Sequence, residues 1–299
     1  MKRQGLEETV PHREALEETP ALVPNRFESL RAFAFALSTR FKKKGDLKDM
    51  DECIQCYREV VELVPAPHPR RSESLCNLAW CFFTRYEKTG DFKDLEESLR
   101  CDREALELTP PPHPRRSISL NALGLVLKNR FRQKGDFEDL EESIRCCREA
   151  LELTPPSHPT RPLSLENLGG ALHMRFRTRG DFEDQDESIQ CYRESLGLLP
   201  APDPKRPRSL DNLAIVLSTR FQKKKNSEDL DESIRCRQEA LELSLAPHPN
   251  RSQWINTLAH ALATRFEEKG DIRDLDESIR YRREAFVENS RVPVRPKYL

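Results

Sequence analysis

The sequence predicts an all-α fold of helical hairpins stacked into a solenoid. An Arg-aromatic pair returns at one fixed interval with no insertion or deletion: Arg40-Phe41, Arg85-Tyr86, Arg130-Phe131, Arg175-Phe176, Arg220-Phe221 and Arg265-Phe266. Within each copy the apolar residues are spaced by three and four, and no stretch alternates with the period of two that a strand needs. A unit copied at constant length packs on its neighbours in one fixed way, so each copy buries its apolar face only against the next.

The third copy shows how the elements arise. Leu120, Leu123, Gly124, Leu127 and Phe131 lie along one stripe of a first helix, helix A. Gly135-Asp136 then stops it: glycine takes the left-handed conformation a helix end needs, and the aspartate caps the next helix. Phe137, Leu140, Ile144, Cys147 or Ala150, and Leu151 form the stripe of a second helix, helix B. Thr154-Pro155-Pro156-Ser157-His158-Pro159 follows, where prolines remove donors and block helical continuation. Six such pairs are predicted over residues 25–289, with A helices starting near Arg26, Arg71, Arg116, Arg161, Arg206 and Arg251. Residues 1–24 read as half a repeat, because Arg13-Glu14-Ala15-Leu16-Glu17 matches Arg103-Glu104-Ala105-Leu106-Glu107. Residues 290–299, with Pro293 and Pro296, read as a tail.

Composition suits a thin stack with much surface and little interior. The 299 residues are 36% hydrophobic and 34% charged, and 50 Lys and Arg balance 51 Asp and Glu. That balance predicts no nucleic-acid role, since phosphate binding calls for a basic stripe. No apolar run approaches the roughly 18 residues of a membrane helix. Nine cysteines, an odd number, point to a reducing compartment, read here as cytoplasmic.

Asn77-Leu78-Ala79, Gly90-Asp91-Phe92, Ser98-Leu99, Ala105-Leu106 and Pro110 follow one another in the order of the tetratricopeptide repeat, which the chain resembles over about residues 12 to 288. The resemblance implies a right-handed superhelix with A helices lining its inner surface. With its R-F, D-L-x-E-S-I, R-E-A-L-E-L-T-P and H-P elements, the long repeat looks like the arrays of fungal multirepeat proteins, often attached to a caspase-like CHAT peptidase domain. No sequence resembling a peptidase domain is present here.

Several polar residues recur in every copy. The Arg26, Arg40 and Asp49 rows, and those begun by Glu52 and Glu59, are read as inter-helix ion pairs and not as acid–base machinery, because an active site occurs once. Cys56, Cys101, Cys146, Cys191 and Cys236 are read as small buried apolar residues, too far apart along the stack to bridge. Cys53 and Cys56 form a lone C-x-x-C without the further ligands that zinc requires. His68, His113, His158 and His248 precede proline and spread along one edge, as expected of loop caps. No catalytic or phosphate-binding motif occurs, so neither an enzyme nor a cofactor is predicted.

The resemblance implies which A-helix positions face the groove, and function is expected where the copies disagree at those positions. One column reads Arg31, Cys76, Asn121, Glu166, Asp211, Asn256; the next Phe35, Trp80, Leu125, Gly170, Ile215, His260; a third Ser38, Phe83, Lys128, His173, Ser218, Ala263. The predicted groove for a protein or peptide ligand comprises Phe35, Trp80, Phe83, Arg31, Asn121, Glu166, His173, Asp211 and His260, with the three aromatics as anchors. The Lys and Asn clamp that the family uses for C-terminal carboxylates is missing. Two readings follow: a stand-alone interaction scaffold, or the recognition arm of a larger CHAT-type protease or signalling assembly.

The fifth copy departs from the rest. Its turn reads Lys225-Asn226 in place of Gly-Asp, and Ser227 replaces the phenylalanine that opens helix B in the second, third and fourth copies. Either Lys225 takes the left-handed conformation at a cost, or Asn226 takes it after a shift of one residue.

Overall fold

The computed structural model describes residues 26–244 and 250–291, so the half repeat of residues 1–24, His248 and the end of the tail lie outside the described residues. Among the described residues there are twelve α-helices and no strand. They are α1 (Arg26–Lys44), α2 (Leu47–Glu62), α3 (Arg71–Thr89), α4 (Phe92–Glu107), α5 (Arg116–Lys134), α6 (Phe137–Glu152), α7 (Arg161–Arg179), α8 (Phe182–Leu198), α9 (Arg206–Lys224), α10 (Ser227–Leu243), α11 (Arg251–Lys269) and α12 (Ile272–Arg291). Odd-numbered helices are the A helices, and all six begin at the arginine the period predicts. The chain's contacts divide it into two units, Met1–Pro155 and Pro156–Leu299. The first holds the hairpins α1–α2, α3–α4 and α5–α6, the second α7–α8, α9–α10 and α11–α12.

Each turn is set by two residues. Gly90, Gly135, Gly180 and Gly270 adopt φ between 72° and 80°, and each amide donates back to the aromatic carbonyl four residues earlier. Asp91, Asp136, Asp181 and Asp271 then accept from the second amide of helix B. At the other end of the hairpin, α2, α4, α6, α8 and α10 carry no basic residue in their last turn. The arginine that opens the next A helix supplies the charge instead: Arg71 Nη1 donates to the carbonyls of Val61 and Val64, and Arg206 Nη1 to those of Leu196 and Leu199.

Within a hairpin the helices approach closely because one contact row is small. Ser98, Ser143, Ser188, Ser233 and Ser278 donate to the carbonyls of Ala79, Gly124, Gly169, Ala214 and Ala259 at 2.6–3.1 Å. Alanine holds this place in three of the five hairpins; in the third copy a Cβ at Gly124 would stand 2.8 Å from Cys147 Sγ, so glycine there makes room for that thiol. Leu, Ile and Phe side chains fill the remaining space, as in the cluster of Leu95, Leu99, Leu120, Leu123 and Leu127.

The recurrent charges are structural, as their repetition predicts. Arg85 joins α3 to α4 through Asp94 (2.8 and 2.6 Å) and to the preceding hairpin through Asp51 (2.6 Å). Arg220 and Arg265 repeat this arrangement with Asp229 and Asp186, and with Asp274 and Asp231. Arg71, Arg161 and Arg251 bind Glu104, Glu194 and Glu284, all thirty-three residues on.

Candidate functional site

The three A-helix columns differ in what they face. In the column of Phe35, Trp80, Leu125, Gly170, Ile215 and His260, three apolar side chains open to solvent, Phe35 at 69% exposure, Ile215 at 39% and Trp80 at 38%, while Leu125 is half-buried against the core. His260 is also exposed. Lys42 of α1 stands over the Trp80 ring, 4.9 Å from its centroid, so one indole face is already covered by a cation.

The third column turns inward. Phe83 was expected beside Trp80 as an anchor, but it is buried at 7% exposure, packed with Tyr86 (ring centroids 6.0 Å apart) in the core shared with Leu95 and Leu120. Three residues past Trp80, it lies on the flank of α3 that meets its neighbours, and its ring fills space there. His173 is likewise engaged: its Nδ1 lies 2.9 Å from Gln185 Oε1, and burial pushes its pKa down. Gln185 stands where four copies have leucine and the first has Met50, and it also donates to the Val216 carbonyl, so His173 and Gln185 form a local polar substitution inside the second unit.

The first column ties successive A helices together. Arg31 donates to Glu73 at 2.9 Å, Glu166 accepts from Ser209, and Asp211 accepts from the Trp254 indole. Asn121 is buried and donates to the Ser117 carbonyl at 2.9 Å. Burial pushes the pKa of Asp211 up, with the Trp254 bond and the charge of Arg237 opposing the rise. These residues are committed to contacts within the stack.

A fourth column lies on the B helices and was not singled out from the sequence: Tyr57, Asp102, Cys147, Tyr192, Arg237 and Arg282. Five of the six are buried, yet chemistry changes from nearly every copy to the next. Asp102 is 1% exposed with Oδ1 unpaired, and burial alone raises its pKa well above the usual carboxylate range. Arg237 is 4% exposed and its Nε has no partner. The signal lies in the sequence: on helix B, as on helix A, this column is where the copies differ.

The remaining candidates have plain roles. His68, His113 and His158 accept through Nδ1 from the amide two residues on, and Asp203 does the same through its carboxylate at 2.8 Å. They cap the loops. All nine cysteines are free, eight of them buried, and burial raises Cys56, Cys101, Cys146 and Cys236 to about 12. Cys53 and Cys81 lie with their sulfurs 3.4 Å apart inside the first unit. Among the described residues no group of three or more His, Cys, Asp or Glu is arranged to hold a metal ion. Among them, too, no helix is long and apolar enough to cross a membrane.

Residues 118–160, 163–204 and 208–250 match the tetratricopeptide repeat. The fold is similar to that of nearly identical TPR-like repeats from Podosopora anserina, at 16% identity, TM-score 0.52, over 73% of this chain and 98% of that one. A thermophilic TPR protein of Thermus thermophilus shares 16% identity at TM-score 0.53, over 79% of this chain and 99% of that one. The APC/C hetero-tetramer Cut9-Hcn1 shares 13% at TM-score 0.58, over 93% of this chain and 43% of that one. No curated protein matches the chain in sequence.

Proposed function

We propose that the chain is a non-catalytic scaffold that binds a protein or peptide partner along the free side of its A helices. One observation carries this reading: large apolar side chains stand exposed at the equivalent position of the first, second and fifth copies, Phe35 and Trp80 in the first unit and Ile215 in the second. The recurrent charges are consumed by inter-helix pairing, and the tetratricopeptide repeats are a scaffold typical of protein–protein interaction. The near-zero net charge favours a protein partner over nucleic acid, and free thiols fit a reducing compartment such as the cytoplasm. The alternative, a recognition arm of a CHAT-type assembly, is supported only by the likeness of the long repeat to fungal arrays.

The test is direct. Proteins captured by the immobilised wild-type chain are compared with those captured by a Phe35→Ala, Trp80→Ala variant, and each differing protein is purified and titrated against both. Loss of two aromatic anchors should weaken binding by roughly tenfold or more at unchanged helicity. An unchanged set of partners with unchanged affinities would refute the reading.

A further inference from the structure

In the second unit, a cavity of about 240 Å³ opens between α9 and α11, with α10 beneath it. Ile215, Phe221, Leu230 and Ala261 give it apolar walls, and His260 stands at its exposed margin. One cation, Arg237, lines it from α10. Arg237 is 4% exposed; its Nη1 donates to Ser218 (3.1 Å) and Ser233, while Nε finds no acceptor. Among the described residues no carboxylate pairs with it directly, and the one carboxylate that supports its charge is that of Asp211. Burial accordingly pushes its pKa down, the direction expected of a cation short of counter-charge. An arginine held in this way is destabilising, and at the equivalent position two other copies carry tyrosine and one cysteine. The site therefore bears an unmet demand for one anion.

From this geometry we infer that the cavity is a subsite for an acidic side chain of a bound peptide, with glutamate as the fitting residue. Its two methylenes lie against the apolar walls and its carboxylate pairs with the Arg237 guanidinium that lines the cavity. One lining cation with Asp211 close by suits a single negative charge and disfavours a phosphate dianion. The cavity adjoins Ile215 and His260 of the exposed column, so a peptide lying on the A helices passes its mouth. The inference rests on the proposed partner-binding face, and it supplies that face with a sequence preference.

The test uses the full chain, labelled with nitrogen-15, and reads the Arg237 Nε–Hε signal together with amides of residues 215–222 and 257–264. Propionate and propionamide stand for the glutamate and glutamine side chains; capped pentapeptides with a central Glu or Gln follow. Saturable shifts with propionate and the Glu peptide, at least tenfold weaker with the amide counterparts and lost in Arg237→Gln, are expected. Arg237→Tyr, which installs the residue of the fourth copy, guards against a folding defect and should abolish binding while preserving the spectrum elsewhere. Equal response to amide and acid, or an unchanged response in both variants, overturns the inference. So does saturation by propionate with none by the Glu peptide, which would mark a site for free small acids. The Phe35→Ala, Trp80→Ala variant should retain the Glu response, so failure of the aromatic anchors and failure of this subsite are told apart.

Discussion

Arg220 and Asp229 meet through two parallel hydrogen bonds, Nε to Oδ2 at 2.8 Å and Nη2 to Oδ1 at 2.6 Å, across the turn that joins α9 to α10. The same fork reaches Asp186 of the preceding hairpin at 2.6 Å. One side chain thus fixes the angle within a hairpin and the offset between two. Asp229 is almost fully buried, so the pair is worth more as a constraint than as net stabilisation.

Removing one partner should therefore hurt more than removing both. Arg220→Ala leaves the Asp229 carboxylate buried without its cation and should cost about 2–3 kcal/mol, somewhat below a fully buried pair because Arg220 keeps an edge in water. Arg220→Met with Asp229→Leu should recover most of that loss. Urea unfolding of the three proteins decides the matter, and additive losses in the double variant would sink the idea.

Asp102 makes stability depend on pH in a defined sense. Its folded-state pKa is raised above the ordinary value of 3.8, so the folded chain holds a proton that the unfolded chain releases. The associated stability is complete below about pH 3.8 and is lost as pH rises toward the folded-state value. The slope is up to about 1.4 kcal/mol per pH unit. Asp102→Asn should thus be more stable than wild type at pH 7, with the difference shrinking toward pH 3. A difference that does not change with pH would contradict this assignment.

The thiols should be inert in the native state. Only the thiolate reacts readily, and burial raises Cys147 and Cys76 to about 11 and four others to about 12. Cys76 alone among the nine is not fully buried. At pH 8 an aromatic disulfide reagent should titrate at most one thiol quickly, and nine after unfolding in guanidinium. Rapid modification of several native thiols would show that the hairpins open more readily than their packing implies.

The period made the helices legible to the residue, because arginine opens each A helix for a physical reason that repeats with it. The capping glycines and aspartates were legible for the same reason. Solvent exposure was only half legible: Phe35, Trp80 and Phe83 look alike in sequence, but a three-residue offset turns Phe83 about 60° around the helix and into the core. Charges on the A helices looked available for ligands, yet Arg31, Glu166 and Asp211 find partners one repeat away that no single copy contains. Arg237 escaped notice because helix B reads as scaffold, and only the packing of Ser218 above it shows that the guanidinium lines a cavity.

The turn between α9 and α10 should be the first to open. Lys225 takes the left-handed conformation itself, at φ 57°, the one non-glycine among the described residues to do so. Asn226 does not take it over, as its β-region backbone and side chain cap α10 by accepting from the Glu228 amide at 3.0 Å. The lysine backbone thus costs roughly 1 kcal/mol that glycine avoids. Replacement of phenylalanine by Ser227 adds less than the size of the ring suggests, because Phe137 at the same place in the third copy is 40% exposed, with its ring 5.3 Å from that of Phe131. Lys225 offsets part of the loss, with Nζ 5.1 Å from the Phe221 ring centroid and 3.3 Å from Glu268. Because a repeat array opens locally, the remaining deficit should appear as exchange and not as global unfolding. Amides of residues 222–232 should exchange faster than those of 132–142. Lys225→Gly should slow them about fivefold, the equivalent of roughly 1 kcal/mol. Equal protection of the two turns in the wild-type chain would remove the basis for calling this one weak.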